Sequence, residues 1–403
     1  MKELAFVGRA IVASAFVISA FASVSAQTDK IDSLEKVIAK AGDDTVKARS
    51  LCRLCDELRK KGRMDEAMKI GEAGQALAQK LKDRKGEASC LNNLGVVYQN
   101  QADFGKAAEY FLNALKTYEE IGDKSGIADG LNNLGIVNFS QGDYSKATEF
   151  FIKSLKIRKE IGDKKGISSS MGNLGTVYEE QGDYLKATEF FIKSLKLFEE
   201  IGDKNGTAGA LNNLGLVYKL QGNFAQAADC HLKSLKIYEE IGDKKGITAC
   251  VSNLGVVYKT LGDYGKAADH YIKSLKIYEE KGDKKGISVC LINLGVVYEA
   301  QGDYAQATGH YLKSLKIHEE IGDKQGIAAC FMNLGNVYNE QGNYAQAADF
   351  YLKNLKIREE IGDKDGIALS WGCLSNVYLK TGRTVEARNL ARKGLDLATE
   401  IGN

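Results

Sequence analysis

The feature that most constrains this chain is a period. The phrase CLINLGVVYEAQGDYAQA at residues 290–307 stands 40 residues earlier as CVSNLGVVYKTLGDYGKA and 40 later as CFMNLGNVYNEQGNYAQA. Units begin at 86, 126, 166, 206, 246, 286, 326 and 366 without insertion, and a degenerate unit begins at 46. A unit this short cannot bury its own apolar face, so the copies must stack and share a continuous core. A length of 403 residues suits such an array better than a single compact core.

Each unit reads as two helices. In the unit from 286, Ile287, Cys290, Leu291, Leu294, Val297 and Tyr298 recur at helical spacing. Gly302 suits a left-handed residue after the helix end, and Asp303 can cap the next helix. That second helix carries Tyr304, Ala307, Tyr311, Leu312, Leu315 and Ile317, and stops at Gly322, with Asp323 ready to cap the following unit. The chain has no proline to break these helices. The expected architecture is all-α: an α-solenoid of about nine stacked antiparallel helix pairs over residues 46–403. Residues 27–45 are expected to supply the second helix of a preceding half unit.

The pattern Leu294-Gly295-x-x-Tyr298, then Ala307, then Tyr311, resembles the tetratricopeptide repeat. Gly95, Gly135, Gly175, Gly215, Gly255 and Gly335 repeat the small position, as Ala107, Ala147, Ala187, Ala227, Ala267 and Ala347 repeat the second one. The 40-residue unit is similar to that of kinesin light chains and exported bacterial signalling proteins. Departures are the missing late proline, Asn138 for Tyr, Ser375 for Gly in the last unit and Cys55 for Gly in the first.

The first residues read as a targeting segment. Lys2 and Arg9 precede an apolar run from Ala10 to Ala22, and Ser25-Ala26 offers a cleavage site, so residues 1–26 are expected to be a signal peptide. Thirteen apolar residues are short for a membrane anchor. The mature chain is therefore expected to be exported, periplasmic or secreted, in a bacterium, with no membrane span.

Eight cysteines in an exported chain would ordinarily suggest disulfides. Cys90, Cys250, Cys290 and Cys330, however, share one register with Gly130, Ser170, Ala210 and Ser370, a position for small side chains. Equivalent residues on successive packed helices lie too far apart to bridge, which predicts free thiols. Balanced charge, 55 Lys+Arg against 53 Asp+Glu, gives no ground for capture of nucleic acid.

No catalytic constellation survives the repeat. Cys52-x-x-Cys55 lies mid-helix without a βαβ context, so packing is its expected role. Cys230, His270 and His310 share a register with Tyr110, Phe150 and Phe350, which points to ring filling rather than a metal ladder. The recurring GDKKG lacks the Gly-Lys-Ser/Thr ending of a phosphate loop. We expect no cofactor, no metal and no enzymatic activity.

One column resists a packing explanation. Asn93, Asn133, Asn173, Asn213, Asn253, Asn293 and Asn333 occupy a single register, although Asn is a poor mid-helix residue. The resemblance places this register on the first helix of each pair, facing the concave groove, where peptide-binding members such as O-GlcNAc transferase use an Asn to grip a peptide backbone. A carboxamide suits that work because it offers both a donor and an acceptor. Two rival accounts are that the Asn fixes the stacking of repeats, or that the units are recent copies of one another. Around it stand mostly small or aliphatic residues, with Glu179, Lys219, Lys259 and Glu299 further on; the Lys/Arg set of a carboxylate clamp is not expected.

The sequence thus predicts a scaffold that binds an extended peptide or protein segment. The alternative is the sensory module of a bacterial signalling protein whose output domain is separate or truncated. Self-association through complementary ends is a third expectation. Arg383, Arg388, Arg392 and Lys393 make the last helix polar, as a terminal cap requires.

Overall fold

The computed structural model describes residues 30–401; the expected signal peptide lies outside the described residues. All regular structure among them is helical. A helix over 30–40, α1, is followed by α2 (Thr45–Lys60), α3 (Met64–Lys80), α4 (Arg84–Asn100), α5 (Phe104–Glu120), α6 (Lys124–Ser140), α7 (Tyr144–Glu160), α8 (Lys164–Glu180), α9 (Tyr184–Glu200) and α10 (Lys204–Leu220). Then come α11 (Phe224–Ile241), α12 (Lys244–Thr260), α13 (Tyr264–Lys281), α14 (Lys284–Ala300), α15 (Tyr304–Ile321), α16 (Lys324–Glu340), α17 (Tyr344–Ile361), α18 (Lys364–Lys380) and α19 (Thr384–Glu400). Even-numbered helices are called A and odd-numbered ones from α3 onward B.

The chain forms two compact units, one running to Gln221 and including Glu240–Gly242, the other comprising Gly222–Glu239 and the residues from Asp243 onward. In the first, α2 packs on α3, α4 on α5, α6 on α7 and α8 on α9, and each B helix also packs on the next A helix. The second repeats this from α12·α13 to α18·α19. Each unit is an α-solenoid of stacked helix pairs.

The punctuation follows from backbone chemistry. Gly302 has φ +77°, and the N–H groups of Gly302 and Asp303 bond Glu299 O and Tyr298 O, both at 2.9 Å. This is a Schellman stop, which satisfies carbonyls left open at the helix end. Asp303 then accepts from Gln306 N at 3.1 Å, and Asp323 accepts from Gly326 N at 3.1 Å. Stop and start therefore fall on adjacent residues. Ion pairs join the A-helix start to the B-helix end of one repeat, as in Lys284–Glu320 (3.0 Å) and Lys324–Glu360 (2.9 Å).

A reciprocal exchange of size organises the core. The A-helix glycine lies against a ring on its B helix: a Cβ at Gly135 would meet Phe151 at 2.6 Å, and one at Gly335 would meet Tyr351 at 2.5 Å. These rings are buried. Where the glycine is replaced, the ring is gone: Cys55 faces Gly71, whose Cβ would sit 3.0 Å from the Cys55 sulfur, and Ser375 shares its pair with Ala391. A second large side chain late in the B helix covers the first glycine of the next A helix, as Tyr278 covers Gly286 and Phe198 covers Gly206.

The cysteines divide. Cys55, Cys230, Cys250, Cys290 and Cys330 are buried free thiols; burial pushes Cys55 up to about 12 and Cys330 up to about 11, which keeps them unreactive. Cys52 and Cys90, expected to be free, instead form a disulfide with their Cα atoms 5.0 Å apart. The expectation compared equivalent registers; these two residues are not equivalent. Helices α2 and α4 touch directly, and that contact brings position 52 within bridging distance of position 90. In the later repeats the residue aligned with Cys52 is Asn132, Gly172, Asn212, Ser252, Ile292 or Met332, so no second bridge is available there.

Candidate functional site

The Asn column sits half-buried on the A helices, one residue before a fully packed leucine. Its first members bond the preceding A helix. Asn93 Nδ2 donates to Cys52 O at 2.9 Å, Asn133 Nδ2 to Asn92 Oδ1 at 2.8 Å, and Asn173 Nδ2 to Asn132 Oδ1 at 2.9 Å. Each partner stands 41 residues back. The stacking account of the column therefore holds for these three.

Elsewhere the partner is missing. Forty-one residues before Asn213 and Asn333 stand Gly172 and Ile292, which carry no side-chain acceptor. Before Asn293 stands Ser252, whose hydroxyl is engaged with Ser274 Oγ at 3.0 Å. Among the described residues, Asn213, Asn293 and Asn333 make no side-chain hydrogen bond. Asn253 is held by interactions of its own. One column thus contains two populations, members bonded to the preceding A helix and members without a side-chain partner.

Asn333 opens into a cleft of about 470 Å³ between α14, α15 and α16, lined by Val296, Glu299, Tyr304, Asn336 and Glu340 among others. Buried rings behind it aim hydroxyls forward. Tyr311 donates to Glu299 Oε2 at 2.6 Å, and Tyr351 donates to Asn336 Oδ1 at 2.8 Å. Burial raises the Glu299 carboxyl, the Tyr311 hydrogen bond opposes the rise, and Glu340 adds to it. In the first unit Glu179 is likewise raised by burial, with Glu180 adding and Lys219 opposing. The cleft presents one unpaired carboxamide, two carboxylates and apolar walls.

A second pocket, of about 270 Å³, gathers Arg49, Arg53, Lys85 and Asn93 beside Cys52. Basic residues do surround this one Asn, contrary to expectation. Arg49, however, is bidentate to Asp83 at 2.9 and 3.1 Å, Lys85 pairs with Asp123 at 2.9 Å, and the Asn93 amide is spent on Cys52 O. Internal carboxylates already hold most of its donors.

The His register behaves as ring filling. His270 stacks on Tyr258 with centroids 5.4 Å apart, and His310 on Tyr298 at 5.3 Å, as Tyr110 stacks on Tyr98 at 5.1 Å. Burial holds both imidazoles below the usual histidine range, so they pack as neutral rings. One column escaped the sequence reading. The Ser of the recurring Lys-Ser-Leu-Lys is buried and donates to the A helix: Ser154 Oγ to Ala128 O at 2.8 Å, Ser194 Oγ to Ser168 O at 2.9 Å, Ser314 Oγ to Ser288 O at 3.0 Å. That bond explains a repetition that copying alone seemed to supply.

The tetratricopeptide repeat family matches residues 47–120, 91–160, 126–200, 166–240, 247–320 and 327–400, and the chain belongs to that family. No match was found among curated protein sequences. Among solved structures, a signal transduction ATPase with a tetratricopeptide repeat sensor from Pyrococcus horikoshii is similar at a TM-score of 0.67 and 18% identity, over 88% of this chain and 53% of that one. The apo quorum sensor NprR of B. thuringiensis matches at 0.59 and 14% identity, over 94% and 99%. A Rap protein complexed with competence and sporulation factor matches at 0.55 and 16% identity, over 84% and 99%. These likenesses concern the fold. Among the described residues no helix is long and apolar enough to cross a membrane.

Proposed function

We propose that this chain is a non-enzymatic protein-interaction scaffold that binds an extended peptide or protein segment in the groove lined by its A helices. The observation that carries the reading is the set of unpaired carboxamides, Asn213 in the first unit and Asn293 and Asn333 in the second, each half-buried at the same register of its A helix. An amide left without a partner in such a place is costly unless water or a ligand completes it. A peptide backbone offers the matching donor and acceptor whatever its side chains. The fold shared with the NprR quorum sensor and with Rap bound to its factor supports a peptide or protein partner. In the second unit, Glu299 and Glu340 favour a segment with a basic side chain opposite Asn333.

Export remains part of the proposal, and the Cys52–Cys90 bridge supports an oxidising compartment. The test uses peptides selected from a random display library on the wild-type chain. Joint replacement of Asn213, Asn293 and Asn333 by Ala should weaken their binding by about tenfold or more, the loss of one or two hydrogen bonds, and leave the melting temperature unchanged. Joint replacement of Asn93, Asn133 and Asn173 should lower melting instead. Equal binding by the first triple variant would remove the groove reading.

A further inference from the structure

The buried ring beside the A-helix glycine is phenylalanine in the first unit, at Phe111, Phe151 and Phe191, and tyrosine in the second, at Tyr271, Tyr311 and Tyr351. The added hydroxyl points toward the groove. Tyr311 finds its acceptor 12 residues back, at Glu299, and Tyr351 finds one 15 residues back, at Asn336, both of which line the Asn333 cleft. Tyr271 lies against Gly255 as Tyr311 lies against Gly295, and is 1% exposed. The same two places before it hold Lys259 and Val256, neither of whose side chains can accept. Among the described residues its hydroxyl accordingly has no hydrogen-bond partner. Burial pushes that hydroxyl up to about 12, so it keeps its proton and remains a donor.

Lys259 brings a charge to the same place. It is half-buried at the register of Glu299 and, among the described residues, pairs with no carboxylate. The charged group acting on the Glu299 carboxyl is Glu340, so Glu299 does not neutralise Lys259; in the first unit, by contrast, Lys219 acts on Glu179. One repeat before the cleft residues Glu299, Asn333 and Glu340 stand Lys259, Asn293 and Ala300. The unpaired carboxamide recurs there, while two carboxylates give way to one cation and a methyl group. We propose that these residues form a second subsite of the peptide groove, which takes an acidic side chain of the bound segment, its carboxylate accepting from the Lys259 ammonium and the Tyr271 hydroxyl. This rests on the groove reading above and adds to it the charge pattern of the partner. One cation and one hydroxyl match the single charge of a carboxylate rather than the roughly two charges of a phosphate. The contact already exists one repeat on, where Glu299 supplies the carboxylate to Tyr311 at 2.6 Å. Neighbouring A helices about 10 Å apart correspond to about three residues of extended chain. The partner is thus a segment with an acidic and a basic side chain about three residues apart, the acid at Lys259 and Tyr271 and the base at Glu299 and Glu340.

The experiment is selection from a display library of about nine random residues, long enough to cross three A helices and flanked by Gly-Ser on both sides so that no chain terminus competes. The wild-type chain should enrich sequences with an acidic and a basic residue about three apart. Lys259→Glu should turn the acidic preference into a basic one. Tyr271→Phe should weaken the best acidic sequence about fivefold or more, and leave its counterpart with Gln or Asn in place of the acid unchanged. Both variants borrow the residue of a sister repeat, the glutamate of Glu299 and the phenylalanine of Phe191, and should keep the helical circular dichroism spectrum. Three results would each overturn the subsite while the groove reading stands. They are selected peptides without an acidic preference, an amide counterpart that binds the wild-type chain as tightly as the acid, and a Tyr271→Phe loss equal for both peptides. No enrichment by the wild-type chain overturns both readings together.

Discussion

Ala102 and Lys82 hold left-handed backbone, with φ of 60° and 58°, where other repeats place a glycine. An L side chain there is strained by about 1–2 kcal/mol. Ala102→Gly should therefore raise stability by about 1 kcal/mol, visible as a higher denaturation midpoint. Gly135 poses the opposite problem, because any Cβ meets the Phe151 ring at 2.6 Å. Gly135→Ala is expected to cost about 1–3 kcal/mol by overpacking. Combined with Phe151→Ala, it should cost less than the sum of the two single changes, as the Ser375/Ala391 pair of the last repeat implies. A double-mutant cycle by urea denaturation measures that coupling.

At the scale of the element, most helix starts are fixed by an aspartate, but the cap position before α17 is Asn343, whose side chain makes no capping bond. Asn343→Asp should restore the cap and favour the helix N-terminus electrostatically, raising stability by about 0.5–1 kcal/mol. Thermal melting checks this. The helices themselves were legible from the sequence because spacing, Gly and Asp all agree at each boundary. The Gly–ring contact was legible for the same reason: it recurs in phase. The disulfide was not, because Cys52 and Cys90 occupy different registers and meet only through the contact of α2 with α4. Nor was the division within the Asn column, which depends on whether an acceptor such as Asn92 or a Gly such as Gly172 stands 41 residues earlier. A column looks uniform along the sequence and becomes heterogeneous only when helices are stacked.

For the molecule as a whole, acidity sets two opposing trends. Hydrogen bonds from Arg49 and Lys85 hold Asp83 and Asp123 below the usual carboxylate range, the Gly206 N–H does so first for Asp203, and Asp323 is held down by Gly326 N–H. Groups lowered on folding stabilise fully above their unfolded value of about 4, and lose that contribution as pH falls through the lower folded values. Glu179 and Glu299 are raised, so their ionisation works against folding above their folded values. Melting temperature should thus rise as pH falls through the raised folded values of Glu179 and Glu299, and fall once pH drops below the unfolded carboxylate value of about 4; Glu299→Gln should flatten the rise. The reciprocal sizes of the A-helix small residue and its B-helix ring have a further consequence, for inheritance. A crossover between misaligned copies lengthens or shortens the array by whole periods. If it falls between a ring and the next glycine, every partner travels with its mate. If it falls between Gly95 and Phe111, the same exchange is equally silent, since any interior glycine accepts any interior ring. Of these small-residue and ring pairs, only Cys55 with Gly71, and Ser375 with Ala391, can be parted to harm. The interior of the gene is free to change its count, while its outermost copies are tied to their own sequence.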